Sequence, residues 1–353
     1  MADFSVADQC SIILKAEEVW ADSQGQTEMY TADAETIKAL AERQKGRTQI
    51  ITELENPELE ANNVKIVWLD NCGETLDDDC QSVCSVTATE VAMTSKNVNL
   101  SKCKSASFKV NENDVLRNRY TLDEIVARKM LSKMKALDEH INAQSLLFLS
   151  ANAGWNKNPE SYTFNATTLN IPTADYTNEL YVKMAIDAKI NKIVDPFVVD
   201  SGALYRYYLN AQLEQGNAEG KGDQRKSMLF PTYFDLVGFP SAPVTDTSFL
   251  ISSSAYAFAS RNYNGNTPEE VNPKSGRQIR WSMPSNTIAG LRYDVYHDYV
   301  CTGRRFTHTY YIEANFDFVL NPIGCDVIVE PADGETPAVI DNVSGILSYT
   351  KVT

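Results

Sequence analysis

The sequence predicts an α+β fold built from unusually long elements. Three observations carry that expectation. "YTLDEIVARKMLSKMKALDEHINAQSLLFLSANAGW" keeps apolar residues at spacings of three and four over about thirty positions. Residues 306–320 alternate apolar and polar along one continuous run. Residues 48–115 hold short β-like runs separated by solvated sequence, the pattern of a projecting hairpin. A long rod, a long strand and a hairpin point to an extended plate more than to a ball.

Composition sets the frame for these elements. The chain has 353 residues, 43% hydrophobic and 22% charged, enough to bury a substantial core in two or three domains. Its formal charge is −15, which argues against a surface made to grip phosphates. Arg304-Arg305 and Arg225-Lys226 are the notable basic pairs, so no nucleic-acid patch is expected. The start, "MADFSVADQC", lacks a basic segment followed by an apolar run, so no secretory signal is read there. Seven cysteines, an odd number, then suit a reducing compartment, and the sequons at Asn165 and Asn342 read as chance. No run approaches the length of a membrane-spanning helix.

Residues 1–30 show mixed pieces without a strong period and read as an arm; residues 33–44 have helical spacing in Ile37, Leu40 and Ala41. "VKIVWLD" (64–70) and "SASFKV" (105–110) are the two β arms expected within 48–115. In the long helix Thr121 and Glu124 fit a capping box, and Leu122, Val126, Met130, Met134, Leu137 and Ile141 form its apolar stripe. Gly154 is a plausible stop. After a polar connector, a helix over 179–191 leads into "PFVVDSG", read as a buried strand ending at Asp200. A helix from Ser201 carries "LYRYYLNAQL", residues 214–225 form a polar glycine-rich loop, and "TYFDLVGFP" and "SFLISSSAYAFAS" read as strands. Residues 291–301 alternate with Tyr293, Val295, His297 and Tyr299 on one face. A turn at Thr302-Gly303 leads to the strand that ends at Leu320.

Chemistry is sparse. "GNAEGKG" lacks the spacing and the Ser/Thr of a phosphate-binding loop and follows a helix, so it reads as a loop. The histidines are His140, His297 and His308. Asp298 beside His297 points to the other face of a strand and cannot orient it, and no nucleophile elbow or zinc-protease motif is present. The one dense cluster is "NCGETLDDDCQSVC", with Cys72, Cys80 and Cys84, followed by Cys103. Only Cys80 and Cys84 have zinc-pair spacing; a structural zinc, a disulfide and reduced thiols all stay open. The acids are contiguous, unlike a calcium loop. Four thiolates would close a metal to substrate, so no cofactor is expected beyond such a structural zinc.

The order of elements resembles the tailed-phage major capsid proteins of the Hong Kong-97-type fold. "PFVVDSGALYRYY", "SFLISSSAYAFASRNY" and the lead-in "SKNVNLSKCKSASFKVNENDVL" are similar to stretches of that family. The resemblance implies an N-terminal arm (1–47), an extended loop carrying the cysteines (48–115), and a peripheral domain with the spine helix (116–174). An axial α/β domain (175–262), the peripheral long strands (263–325) and a C-terminal strand or tail (326–353) complete it. It implies no enzyme but a virion protein, assembled in the host bacterial cytoplasm, whose hexamers and pentamers close an icosahedral shell. That shell would hold double-stranded DNA without reading its sequence, and portal, scaffolding and decoration proteins would be its partners. Val67 and Trp68, on a hairpin reaching over a neighbour, are then candidates for intersubunit contact, whereas Tyr310, Ile312 and Phe316 pack on the spine within one subunit. The alternatives are an encapsulin-type shell around protein cargo or, in another class, a cysteine-rich metal-dependent enzyme.

Overall fold

A computed structural model describes residues 6–24, 30–44, 63–69, 93–115, 120–154, 162–165, 167–191, 193, 195–205, 207, 230–235, 246–253, 255–271, 278–302, 305–320, 327–329, 338–340 and 345–352. The chain opens with helices α1 (Val6–Gln24) and α2 (Glu35–Gln44). Strands β1 (Asn63–Leu69), β2 (Met93–Asn99) and β3 (Lys102–Asn111) follow, then a single helical turn α3 (Glu112–Val115) and the long helix α4 (Leu122–Ala151). Next come β4 (Thr163–Asn165), β5 (Thr168–Pro172), α5 (Asn178–Ile190), β6 (Pro196–Asp200), β7 (Thr232–Phe234), β8 (Thr247–Ser252) and β9 (Tyr256–Arg261). The last part is β10 (Glu269–Val271), β11 (Gln278–Pro284), β12 (Arg292–Thr302), β13 (Arg305–Leu320), β14 (Val327–Val329), β15 (Ala338–Ile340) and β16 (Ile346–Val352).

α4 forms where the sequence places it. Thr121 has extended backbone (φ −71°, ψ 162°), and its Oγ1 accepts the Glu124 N–H at 3.3 Å, satisfying one amide of the open first turn. At 1.5 Å per residue the thirty residues make a rod of about 45 Å. Val126, Met130, Met134, Leu137 and Ile141, all expected on the stripe, are buried.

That stripe faces a six-stranded sheet ordered β10-β11-β12-β13-β3, with β9 pairing the last part of β13. β13 runs sixteen residues, about 54 Å at strand rise. Its alternation has a simple cause. Tyr310, Ile312, Ala314 and Phe316 enter the core beneath α4, while Tyr311 and its register partner Tyr296 lie on the outer face. Trp281, Tyr293 and Val295 from the neighbouring strands complete the inner face.

A second sheet, ordered β4-β5-β16-β8-β6-β7, is covered on both sides. Phe197, Val199, Phe249, Ile251 and Ile346 join the core under α4. Val198, Leu250, Leu347 and Tyr349, one step out of phase, pack instead with Leu180, Tyr181 and Met184 of α5. Burial on both faces is why "FVV" (197–199) and "FLI" (249–251) are unbroken apolar runs.

Three expectations change. The opening residues, read as mixed pieces, form α1, whose Gln9, Ile12, Ala16 and Val19 are buried. Only two of those four are large aliphatics, so the helical stripe is faint in sequence. The partner of "VKIVWLD" is β2, with Asn63 opposite Asn99 and Leu69 opposite Met93, and not "SASFKV". That second run is β3, the edge strand of the first sheet, where Lys109 pairs with Thr309 of β13. "SFLISSSAYAFAS" is split: β8 lies in the second sheet and β9 in the first. Within 326–353, expected as a C-terminal strand or tail, β16 lies in the second sheet, parallel to β5 and antiparallel to β8.

Candidate functional site

Charged groups inside this fold fasten one element to another. Asp138 lies on the buried side of α4, one helical turn after Met134, and accepts the hydroxyl protons of Tyr293 and Ser285. Asp200 closes β6 by accepting the N–H groups of Gly202 (2.7 Å) and Leu204 (3.1 Å) and the hydroxyl of Ser248 (2.6 Å). Gly202 has φ +101°, a left-handed turn that glycine adopts without strain, and it lets the chain curl around that carboxylate. Asp294 accepts the N–H groups of Tyr263 (2.9 Å) and Asn264 (2.8 Å), tying the segment after β9 to β12. Asp235 accepts the Thr36 N–H (3.2 Å), the Thr36 hydroxyl (2.7 Å) and the Asn142 amide (2.7 Å).

Burial raises Asp138, Asp200 and Asp294 each to about 6, against the hydrogen bonds that favour their charged forms. A carboxyl with a folded-state pKa above its unfolded one binds more protons when folded. It therefore adds stability as pH falls from about 6 towards 3.8. For Asp138, the gain between pH 7 and 4.5 is about 2 kcal/mol at 1.36 kcal/mol per unit. Asp138→Asn cannot titrate, so the stability of wild type relative to this variant should rise by about that amount over the range. Urea midpoints at the two pH values measure it, and parallel pH profiles would reject it.

His297 and His308 lie side by side on the inner face of the first sheet, both fully buried. His297 Nε2 is 3.1 Å from His308 Nδ1, and Gln9 Nε2 of α1 is 3.3 Å from His297 Nδ1. His308 Nε2 faces Glu112 of α3 at 3.6 Å. Tyr310 stacks on His297 with ring centroids 4.6 Å apart. Alternation along each strand predicted the shared face of Tyr293, Val295, His297 and Tyr299. The meeting of the two rings depends on register: His297 pairs with Tyr310 and Tyr299 with His308. His140 stands apart on α4, its pKa lowered by partial burial.

Of the residues singled out in the sequence, Val67 and Trp68 lie on β1, opposite Ser95 and Thr94 of β2; their side chains are outside the described residues. Among the described residues β1 and β2 pair with each other alone, in a ribbon belonging to neither large sheet. Cys72, Cys80, Cys84 and the 214–225 loop are outside the described residues. Cys103 is exposed on β3, opposite Asn315. Among the described residues no three metal-ligating side chains converge, and no helix is long and apolar enough to cross a membrane. The outer side of α5 exposes Val182, Ile186 and Ile190 at successive turns, with relative exposures of 47%, 52% and 47%.

The buried aspartates were missed from sequence, although one carried a signal. Asp138 interrupts the apolar stripe between Met134 and Ile141, where a charge needs a buried partner.

No family model matches the sequence, and no curated protein matches it. Solved structures do overlap it. A chain from Mycobacterium phage Che8 is 13% identical, covers 85% of this chain and 90% of its own, and superposes with a TM-score of 0.42. A chain of the "Cyanophage A-1(L) capsid asymmetric unit" is 9% identical, with 85% and 92% covered and a TM-score of 0.45. One from "Capsid structure of the Cyanophage P-SCSP1u" is 9% identical, with 82% and 83% covered and a TM-score of 0.44. At these TM-scores the overlaps are likenesses alone.

Proposed function

We propose that this chain is a tailed-phage major capsid protein of the Hong Kong-97-type fold, whose copies form the hexamers and pentamers of an icosahedral shell. The observation that carries the reading is the order of the elements. A paired hairpin outside both sheets precedes a thirty-residue helix. A doubly covered α/β sheet follows, and the chain then returns to a sixteen-residue strand lying under that same helix. A long helix laid over a long strand suits a thin, broad tile. The net charge of −15 suits a wall that contains double-stranded DNA without adhering to it. The role is structural, in the virion, and scaffolding, portal and decoration proteins are its natural partners. The exposed aliphatic strip of α5 is surface that a neighbouring copy would cover. Negative-stain electron microscopy of the purified protein tests the reading. Closed particles of uniform size, with packaged DNA when made during infection, are expected; monomers or dimers at all concentrations would reject it.

Assembly centres in part on the β1-β2 ribbon. A two-stranded ribbon is marginal alone, and a neighbour's surface supplies what it lacks. Trp68 and Val67 are its contact residues in this reading, and Trp68→Asp is expected to leave a folded subunit that forms few or no shells. Circular dichroism and analytical ultracentrifugation separate the two effects. Normal assembly of the variant, or its misfolding, would remove the assignment.

A further inference from the structure

We propose that α1 is a proton-released latch, held near neutral pH against α4 and the first sheet by hydrogen bonds from Gln9 to His297 and from His297 to His308, whose far nitrogen faces Glu112, and let go in acid. The geometry gives the line a direction. For the Gln9 amide nitrogen to donate, His297 Nδ1 must be bare. His297 Nε2 then carries the proton and donates to His308 Nδ1 at 3.1 Å. His308 Nε2–H is left facing the Glu112 carboxylate at 3.6 Å. Each ring therefore has one tautomer, and both are neutral.

A second proton on His297 sets donor against donor at Gln9. Turning the amide, so that Oε1 accepts, repairs the hydrogen bond but leaves a cation inside the core. Tyr299 and Tyr310 stack on His297 from the strands, and His308 stands between it and Glu112. Asp8 of α1 and Asp123 of α4 act on the Tyr310 side of the cluster. Consistent with this, burial and then the neighbouring His308 hold His297 down to about 3, and burial lowers His308 against the pull of Glu112.

Lifting α1 removes Gln9, Ile12, Ala16 and Val19 from the core and exposes His297 to water. There it titrates near 6.5, so the lifted state gains protons that the docked state refuses. The sign is therefore fixed: docking is strongest above about 6.5 and weakens as pH falls towards 3. One proton taken up two units below 6.5 raises the opening equilibrium by about 100-fold at pH 4.5 relative to pH 7.5. The body responds in the opposite sense, because Asp138, Asp200 and Asp294 favour the folded state as they protonate. Acid thus loosens the helix and firms what it rests on. The inference does not depend on shell assembly.

Hydrogen exchange read by mass spectrometry on the full chain, corrected for intrinsic exchange at each pH, tests it. In wild type, protection of residues 6–24 is expected to fall by about 100-fold from pH 7.5 to 4.5, while protection of residues 122–151 holds. In His297→Gln, which stays neutral and can still accept from Gln9, the residue 6–24 response is expected to be flat. His297→Phe gives the same readout should the glutamine variant fold poorly. Unchanged wild-type protection of residues 6–24 across the range overturns the proposal. So does an equal fall in the variant, or a fall of residues 122–151 in step with residues 6–24.

Discussion

Phe316→Asp is expected to unfold the subunit. Phe316 is 1% exposed, with Phe318 and Phe258 rings 5.9 and 6.3 Å away. Its backbone is paired on both sides, to Lys102 of β3 and Ser260 of β9, so the strand cannot rotate the new side chain outward without breaking two ladders. Truncating a buried phenylalanine alone costs about 3–5 kcal/mol. An unpaired carboxylate in the same place adds several kcal/mol more, or forces the group to stay protonated. The sum rivals the whole stability of an ordinary domain, about 5–15 kcal/mol. Loss of the cooperative thermal transition in circular dichroism is the expected result, with Phe316→Leu retaining it. A folded aspartate variant with a near-normal midpoint would mean that β13 does not face α4 as described.

Asp235→Ala should cost about 3–5 kcal/mol, by stranding donors instead of opening a large void. Asp235 is 1% exposed, and its Oδ2 accepts from the Thr36 N–H, the Thr36 hydroxyl and the Asn142 amide. Asn142 in turn accepts the Ile37 N–H at 3.1 Å. Two first-turn amides of α2 are thus satisfied from other elements, which is how α2, α4 and the end of β7 are held together. Alanine leaves all three donors buried and unmet. Asp235→Asn keeps an acceptor oxygen and should lose less. Because Asn142 shares the network, Asp235→Ala and Asn142→Ala should be clearly non-additive. Urea midpoints at constant m-value measure both effects. A loss below about 1 kcal/mol for Asp235→Ala would show that water or a rearranged side chain replaces the carboxylate.

What the sequence determined by itself is what depends on neighbours along the chain. The start of α4 was legible because a capping box is a four-residue signal, and Thr121 makes the expected bond to the Glu124 N–H. Its buried stripe was legible because helical period repeats over thirty residues. The long strands were legible because one face of their sheet is wet, so alternation survives in the sequence. The second sheet, dry on both faces, showed strands without saying which face met which core.

Everything set by partners far along the chain waited for the tertiary structure. β16 enters the second sheet beside β5 through pairs such as Tyr349 with Leu169, a join between segments with no local code for each other. β9 leaves its neighbour β8 for the other sheet, where Phe258 lies opposite Phe318 across the ladder. The acceptor that caps α2 stands 199 residues away in Asp235. His297 and His308 meet only because the β12-β13 register puts Tyr310 opposite one and Tyr299 opposite the other. A shift of one residue would send either ring to the solvent face, and the latch would not exist. Periodicity and capping are local energies and can be read along a chain. Register, strand insertion and buried hydrogen-bond partners are decided by which surfaces meet, and that is a property of the folded whole.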